Sequence, residues 1–174
     1  VTLPAPEWVG SETISFRATD PGGLYGEDQA VFSVTAENKA PVVSDIPDQT
    51  VLEGGSFATI NLDDYVSDID NDDSEIVWNV SGNTQLGVTI TNRVATIASP
   101  DAEWSGAETL TFQATDPGGL SDDDAATFTV SAVNDNPVMT DIPDQSIVAG
   151  GAFASINLDD FVSDIDNPDA ELSW

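Results

Sequence analysis

Apolar residues recur at every second position through most of the chain. Ala58, Ile60 and Leu62 fall on one face, as do Ile76, Trp78 and Val80, then Val88 and Ile90, then Leu110, Phe112 and Ala114, and finally Ala126, Phe128, Val130 and Ala132. A period of two is what a strand shows when one of its sides is buried. An extended stretch from Val42 to Leu52 and a short one from Val94 to Ile97 bring the total to about seven strands, separated by Gly, Pro, Asn and Asp turns. No stretch carries a helical period.

The same pattern occurs more than once. Residues 4–78 reappear at 100–174 without insertion, more than half of the aligned pairs being identical. Glu7-Trp8 returns as Glu103-Trp104, Asp20-Pro21-Gly22-Gly23-Leu24 as Asp116 to Leu120, and Asp68-Ile69-Asp70-Asn71 as Asp164 to Asn167. The chain therefore divides into the end of one repeat (1–38), one whole repeat (39–134) and the start of a third (135–174). About seven short strands per repeat predict an all-β fold of tandem immunoglobulin-like sandwiches. Trp78 and its copy Trp174 take the place where such a sandwich buries a tryptophan on its third strand. The flanking pieces hold too few strands to close a core, so each is expected to leave an apolar face uncovered.

Charge changes the picture. There are 32 acidic residues against 3 basic ones, for a net charge of −29, with no His and no Cys. Self-repulsion of this size destabilises a compact state unless cations screen or bind it. Nucleic acid is excluded as a partner, because Arg17, Lys39 and Arg93 form no patch. The missing His and Cys remove both disulfides and the ligands that zinc prefers. No apolar run is long enough to cross a bilayer and no leader sequence stands at Val1, so targeting information is expected outside this segment.

Candidate chemistry gathers between the repeats. Asn134-Asp135-Asn136 is a row of short oxygen-bearing side chains ended by Pro137, with Asp101 and Glu103 before it and Asp164 and Asp166 after it. Such a run is an ordered connection rather than a packed strand, and its hard oxygens suit calcium.

These motifs, in order, resemble the cadherin repeat, and in particular the dystroglycan-type, cadherin-like tandem repeats of large bacterial calcium-dependent surface adhesins. The resemblance rests on Glu53 early in the repeat, Asp68-x-Asp70 after the second strand, Asp101-x-Glu103 before the sixth, Asp116 in the following turn, and Asn-Asp-Asn-Pro at the exit. It implies calcium ligands drawn from both neighbours at each joint. The second joint would use Glu53, Asp101, Glu103, Asn134, Asp135, Asn136, Asp164 and Asp166. The first would use Glu7 and Asn38 with Asp68, Asp70 and Asp116 across the joint. That first joint departs from the pattern, with Ala5 at the place of Asp101 and Lys39-Ala40 at the place of Asp135-Asn136, so weaker binding is expected there. The third repeat has Ala149 at the place of Glu53.

Plainer roles compete for several acids. Asp20 and Asp116 open Asp-Pro-Gly-Gly turns of type II, Asp63 and Asp64 cap a helical turn before Tyr65, and Asp122 to Asp124 form a solvated edge that blocks strand pairing. The Asp68-x-Asp70-x-Asp72 run is not an EF-hand, because Asp73 stands where that loop needs Gly and Asn79 where it needs Glu. Trp8 and Trp104, each beside a Gly, are expected to plug the sandwich end rather than to stack on a sugar or partner.

Carboxylate pairs copied into every repeat build joints, whereas a catalytic site occurs once, so no enzyme is expected. The expectation is a calcium-stiffened extender array outside the cell, on a bacterial surface, giving reach for cell or matrix adhesion. Its partners would be calcium ions, neighbouring repeats, and a homophilic, cell-surface or matrix partner. The other reading is a glycan-binding or homophilic sandwich module. Calcium is plentiful enough for such joints only outside the cytosol, since extracellular modules bind it at about 0.1 to 1 mM.

Overall fold

The structure is a computed structural model that describes residues 2, 5 and 8–174. As the alternating pattern requires, the chain is all-β, with short 3-10 turns between strands. The first repeat supplies β1 (Gly10–Thr19) and β2 (Tyr25–Val34), an antiparallel pair with Gly10 opposite Val34. The central repeat follows with β3 (Val42–Val43), β4 (Gln49–Leu52), β5 (Ile60–Asn61), β6 (Val66–Ser67), β7 (Val77–Ser81), β8 (Gly87–Thr91), β9 (Val94–Ala98), β10 (Gly106–Thr115) and β11 (Ser121–Ser131). The third repeat contributes β12 (Val138–Met139) and β13 (Val162–Ser163), which pair antiparallel.

The central repeat is a two-layer sandwich. One sheet runs β4-β11-β10-β7 and the other β5-β9-β8, with β3-β6 as a short ladder beside them. All neighbours are antiparallel except β4, which lies parallel to β11 with Gln49 opposite Phe128. The alternation reads directly into the core: Ile76, Trp78, Leu110, Phe112, Ala114, Ala126, Phe128 and Val130 are buried. Phe57 meets Phe128 edge-on at 5.3 Å between ring centroids, an arrangement that aromatic quadrupoles favour.

Three expectations change in detail. The stretch from Val42 to Leu52 breaks into β3 and β4 around Pro47, which has no N–H to give a ladder. Ala58 is exposed and Phe57 is buried instead, because the Gln49 side chain takes both the Ala58 N–H (2.8 Å) and the Ala58 carbonyl (3.1 Å). Ala132 lies past the end of β11 and is exposed. Ile46 and Leu86, in irregular segments without a period, also reach the core.

Residues 1–38 and 135–174 hold only part of a repeat each, and their copies of core positions are correspondingly exposed. Phe16 is 50% and Phe32 38% exposed, whereas their copies Phe112 and Phe128 are wholly buried. Trp174 is 58% exposed against 9% for Trp78. The difference measures what the two facing sheets of a whole repeat do for each other. No helix among the described residues is long and apolar enough to cross a membrane.

Candidate metal centre

The second joint is assembled at one end of the central sandwich. Glu53 directly follows β4, and its N–H donates to the Ser131 carbonyl at 2.9 Å. The Val133 N–H in turn donates to Glu53 Oε2 at 2.8 Å, which aims the carboxylate along the exit of β11. On the far side, Asp164 Oδ1 accepts the N–H groups of Asp166 (2.9 Å) and Asn167 (3.0 Å), and so folds the Asp-Ile-Asp-Asn loop on itself. Asp166 Oδ2 then accepts the Asp135 N–H at 2.6 Å, tying the third repeat to the linker backbone. As a result, carboxylate oxygens of Glu53, Asp135 and Asp166 come within 4.8 Å of one another.

Asp101, Glu103 and Asp164 are not within that group of three; Glu103 borders it from the turn between β9 and β10 through Asp135, and Asp101 Oδ1 accepts the Glu103 N–H at 3.0 Å. The Asp135 charge, burial, a hydrogen bond with Asp135, and the charges of Glu53 and Asp101 hold the Glu103 carboxyl above its usual range. Repulsion among these acids is thus a feature of the folded joint. Asn134 turns its Nδ2 to the Asp135 carbonyl at 2.8 Å, and Asn136 is exposed.

The first joint repeats the backbone arrangement. Asp68 Oδ1 accepts the N–H groups of Asp70 (2.7 Å) and Asn71 (3.0 Å), and Asp70 Oδ2 accepts the Lys39 N–H at 2.8 Å. Asn38 Nδ2 donates to Asp116 Oδ2 at 2.7 Å, a contact between consecutive repeats. The lysine ammonium points to Glu37 Oε2 at 2.8 Å, an exposed pair outside the ligand run. Glu7 lies outside the described residues.

Asp116 serves the turn and the joint together. It is buried at 4% exposure and its Oδ1 accepts the Leu120 N–H at 2.9 Å. The turn closed by the Gly119 N–H on the Asp116 carbonyl is not the expected type II, because the positive φ of 88° falls on Gly119, its fourth residue, and not on Gly118, its third. Burial alone would raise its pKa, but the Asn38 amide and the N–H groups of Leu120, Gly119 and Gly118 outweigh that and lower it. The acid stays ionised.

Whether calcium suits these residues is a question of donors. Every side-chain candidate offers hard oxygen, and two such oxygens, Asp68 Oδ2 and Asn71 Oδ1, are buried without a hydrogen-bond partner. An orphaned pair of acceptors is costly unless something electropositive meets it, so the set fits a hard cation. Asn71 was not among the expected ligands. Its signal was present in the sequence as the last member of the Asp-Ile-Asp-Asn run that returns at Asn167.

The competing roles resolve differently. Asp63 does not cap its 3-10 turn (Leu62–Tyr65), where no side-chain cap forms; it pairs with Arg93 Nε at 2.7 Å. Asp122 and Asp124 are not a solvated edge: β4 covers β11 only from Phe128 to Ser131, and ahead of it both side chains accept backbone N–H groups, from Val43 (2.8 Å) and Ile46 (2.7 Å). Trp104 packs on the core, donates Nε1 to Gln85 Oε1 at 2.8 Å, and leaves no room for a Cβ at Gly106, which would stand 2.8 Å from the ring.

The sandwich and its joint define a tandem immunoglobulin-like module. Residues 38–131, over half of the chain, match the bacterial Ig domain, and the chain belongs to that family. No curated protein matches it. Among solved structures it is similar to protocadherin gammaB7 EC3-6, with 24% identity over 75% of this chain and 34% of that one, at a TM-score of 0.41. It is also similar to Drosophila N-cadherin EC1-4, with 20% identity over 78% of this chain and 36% of that one, at a TM-score of 0.45. Human desmocollin-1 ectodomain gives 15% identity over 74% of this chain and 29% of that one, at 0.44. The chain spans about a third of the length of these structures.

Proposed function

We propose that the chain is part of a calcium-stiffened extender array of a large extracellular surface protein, a bacterial adhesin, and not an enzyme. The observation that carries this reading is the cluster of Glu53, Asp135 and Asp166, in which the whole repeat presents one carboxylate, and the next repeat two, to the same small volume. Glu53, Asp101, Glu103, Asp135, Asp164 and Asp166 would hold calcium at the second joint, and Asn38, Asp68, Asp70, Asn71 and Asp116 at the first. Bound calcium supplies positive charge that cancels the repulsion around Glu103 and links two domains through shared ligands.

Without the ion the carboxylates repel and the repeats swivel about a short linker. With it they align as a rod, which gives reach to whatever adhesive domain the array carries. Small-angle scattering of the 174-residue chain in calcium and in chelator tests this. The maximum dimension is expected to grow and sharpen with calcium; the same profile in both conditions defeats the reading.

A further inference from the structure

The segment that enters the central repeat and the strand that leaves it are held together by one continuous parallel register, and four of its bonds are made by carboxylates. From Gln49 to Leu52 the rungs are the backbone bonds of β4 with β11, Gln49 opposite Phe128 and Leu52 opposite Ser131. Ahead of them, the Val43 N–H donates to Asp122 Oδ2 at 2.8 Å, the Ile46 N–H to Asp124 Oδ2 at 2.7 Å, and the Thr127 N–H to Asp48 Oδ1 at 2.6 Å. Behind them, the Glu53 N–H reaches the Ser131 carbonyl and the Val133 N–H reaches Glu53 Oε2. The separations in sequence, 79, 78, 79 and 80 for the four side-chain bonds, keep the register of β4 on β11 throughout.

The carboxylates stand where a backbone ladder cannot form. Pro47 has no N–H, and the segment between β3 and β4 has no strand geometry of its own, so longer acceptors bridge the gap. Asp123, between the two acceptors, is exposed and takes no backbone bond among the described residues. Asp28 and Asp144 occupy the places of Asp124 and Asp48 in the neighbouring repeats.

The direction of the two strands decides what these bonds do. Both run from the first joint towards the second, so tension along the array pulls the segment 42–53 one way and β11 the other. The rungs then lie across the pull and resist it together, as a shear, instead of opening one at a time. We infer that Asp48, Asp122 and Asp124 carry tension as a carboxylate clamp that sets the mechanical strength of the repeat. The inference deepens the extender reading and rests on it only for the source of tension.

Single-molecule pulling on the full chain in chelator tests it. The chain has no Cys, so thiol handles can be placed at will. With handles at Thr2→Cys and Ser173→Cys, Asp122→Ala with Asp124→Ala is expected to raise the unfolding rate of the central repeat under fixed load about ten-fold or more, because charge-assisted bonds are lost from the loaded path. Asp48→Ala should act in the same direction, and Asp123→Ala should change nothing. With handles at Asp64→Cys and Gln113→Cys, both partners of the clamp lie outside the tension path, and the double variant should unfold at the wild-type rate. A double variant that resists terminal pulling like wild type, or that weakens equally in both geometries, overturns the clamp. Should the alanine pair prevent folding, Asp122→Asn with Asp124→Asn keeps an uncharged acceptor on each rung and should give a smaller acceleration confined to the terminal geometry. Chelator keeps the two readings apart: a calcium-independent scattering profile removes the extender while the clamp result stands.

Discussion

Asn38 and Asp116 lie 78 positions apart and meet at 2.7 Å, the amide of one repeat on the buried carboxylate of the next. The other Asp116 oxygen is already committed to its own turn, so the joint is built on an acid that the domain itself fixes in place. If the proposed calcium binds there, a ligand whose position is fixed by the fold would lose little freedom to it.

At the second joint that logic yields a stability prediction. Calcium that binds the folded array and not the unfolded chain stabilises it by mass action, about 1.4 kcal/mol when free calcium is ten times the dissociation constant. Asp164→Ala and Asp166→Ala should each lose part of that gain, while the melting temperature in chelator should stay near wild type because neither residue is in the core. Equal calcium responses in variants and wild type would show that these aspartates hold no ion.

The two joints should be unequal. Lys39-Ala40 stands at the first where Asp135-Asn136 stands at the second, and Ala5 where Asp101 stands. Fewer anionic oxygens attract a divalent ion less, although Glu37 draws the Lys39 ammonium to 2.8 Å and tempers its effect. Lys39→Asp with Ala40→Asn should raise the number or affinity of ions bound in calorimetric titration and reduce bending at the first joint. An unchanged isotherm would mean that the backbone, not residue 39, completes that site.

Glu103 gives a pH dependence in the absence of calcium. Its carboxyl is raised, chiefly by the Asp135 charge, so its ionisation opposes folding above the folded-state pKa, and the penalty disappears below the ordinary value of 4.5. In chelator, Glu103→Gln should therefore melt higher than wild type near neutral pH, and the difference should shrink as the pH falls below 4.5. In calcium the order should reverse, since the variant lacks a ligand. A variant that is no more stable than wild type in chelator contradicts the repulsion read from the structure.

Glu108 should show the opposite sign. Burial raises its pKa, but the Thr84 hydroxyl and the N–H groups of Thr84, Gln85 and Leu86 bring it down to about 2. A depressed carboxyl contributes stability that is full above 4.5 and is lost as the pH falls through about 2. Glu108→Ala should cost about 2 kcal/mol at neutral pH by leaving the loop at 84–86 without its acceptor. Denaturant midpoints of variant and wild type should converge only in strong acid; midpoints that coincide at neutral pH would refute the assignment.

The sequence by itself determined the layers and the repeat. Alternation placed Trp78, Phe112 and Phe128 in the core because side-chain direction in a strand follows residue parity, a purely local rule. The resemblance to the cadherin repeat, and no local rule, implied one joint for Glu53, Asp135 and Asp166, whose carboxylates the structure brings together. What an individual carboxylate faces was decided only by the tertiary structure. Asp122 and Asp124 look in sequence like a charged edge, but their side chains close that edge by binding the backbone of a segment almost eighty residues earlier. Asp63 looks like a cap and instead meets Arg93, and the repeated Asp-Ile-Asp-Asn run marks Asn71 without telling that its side-chain oxygen is buried and unpartnered. An acid looks the same in sequence whether it caps, pairs, bridges or binds; its partner is fixed by long-range packing, which local periodicity does not encode.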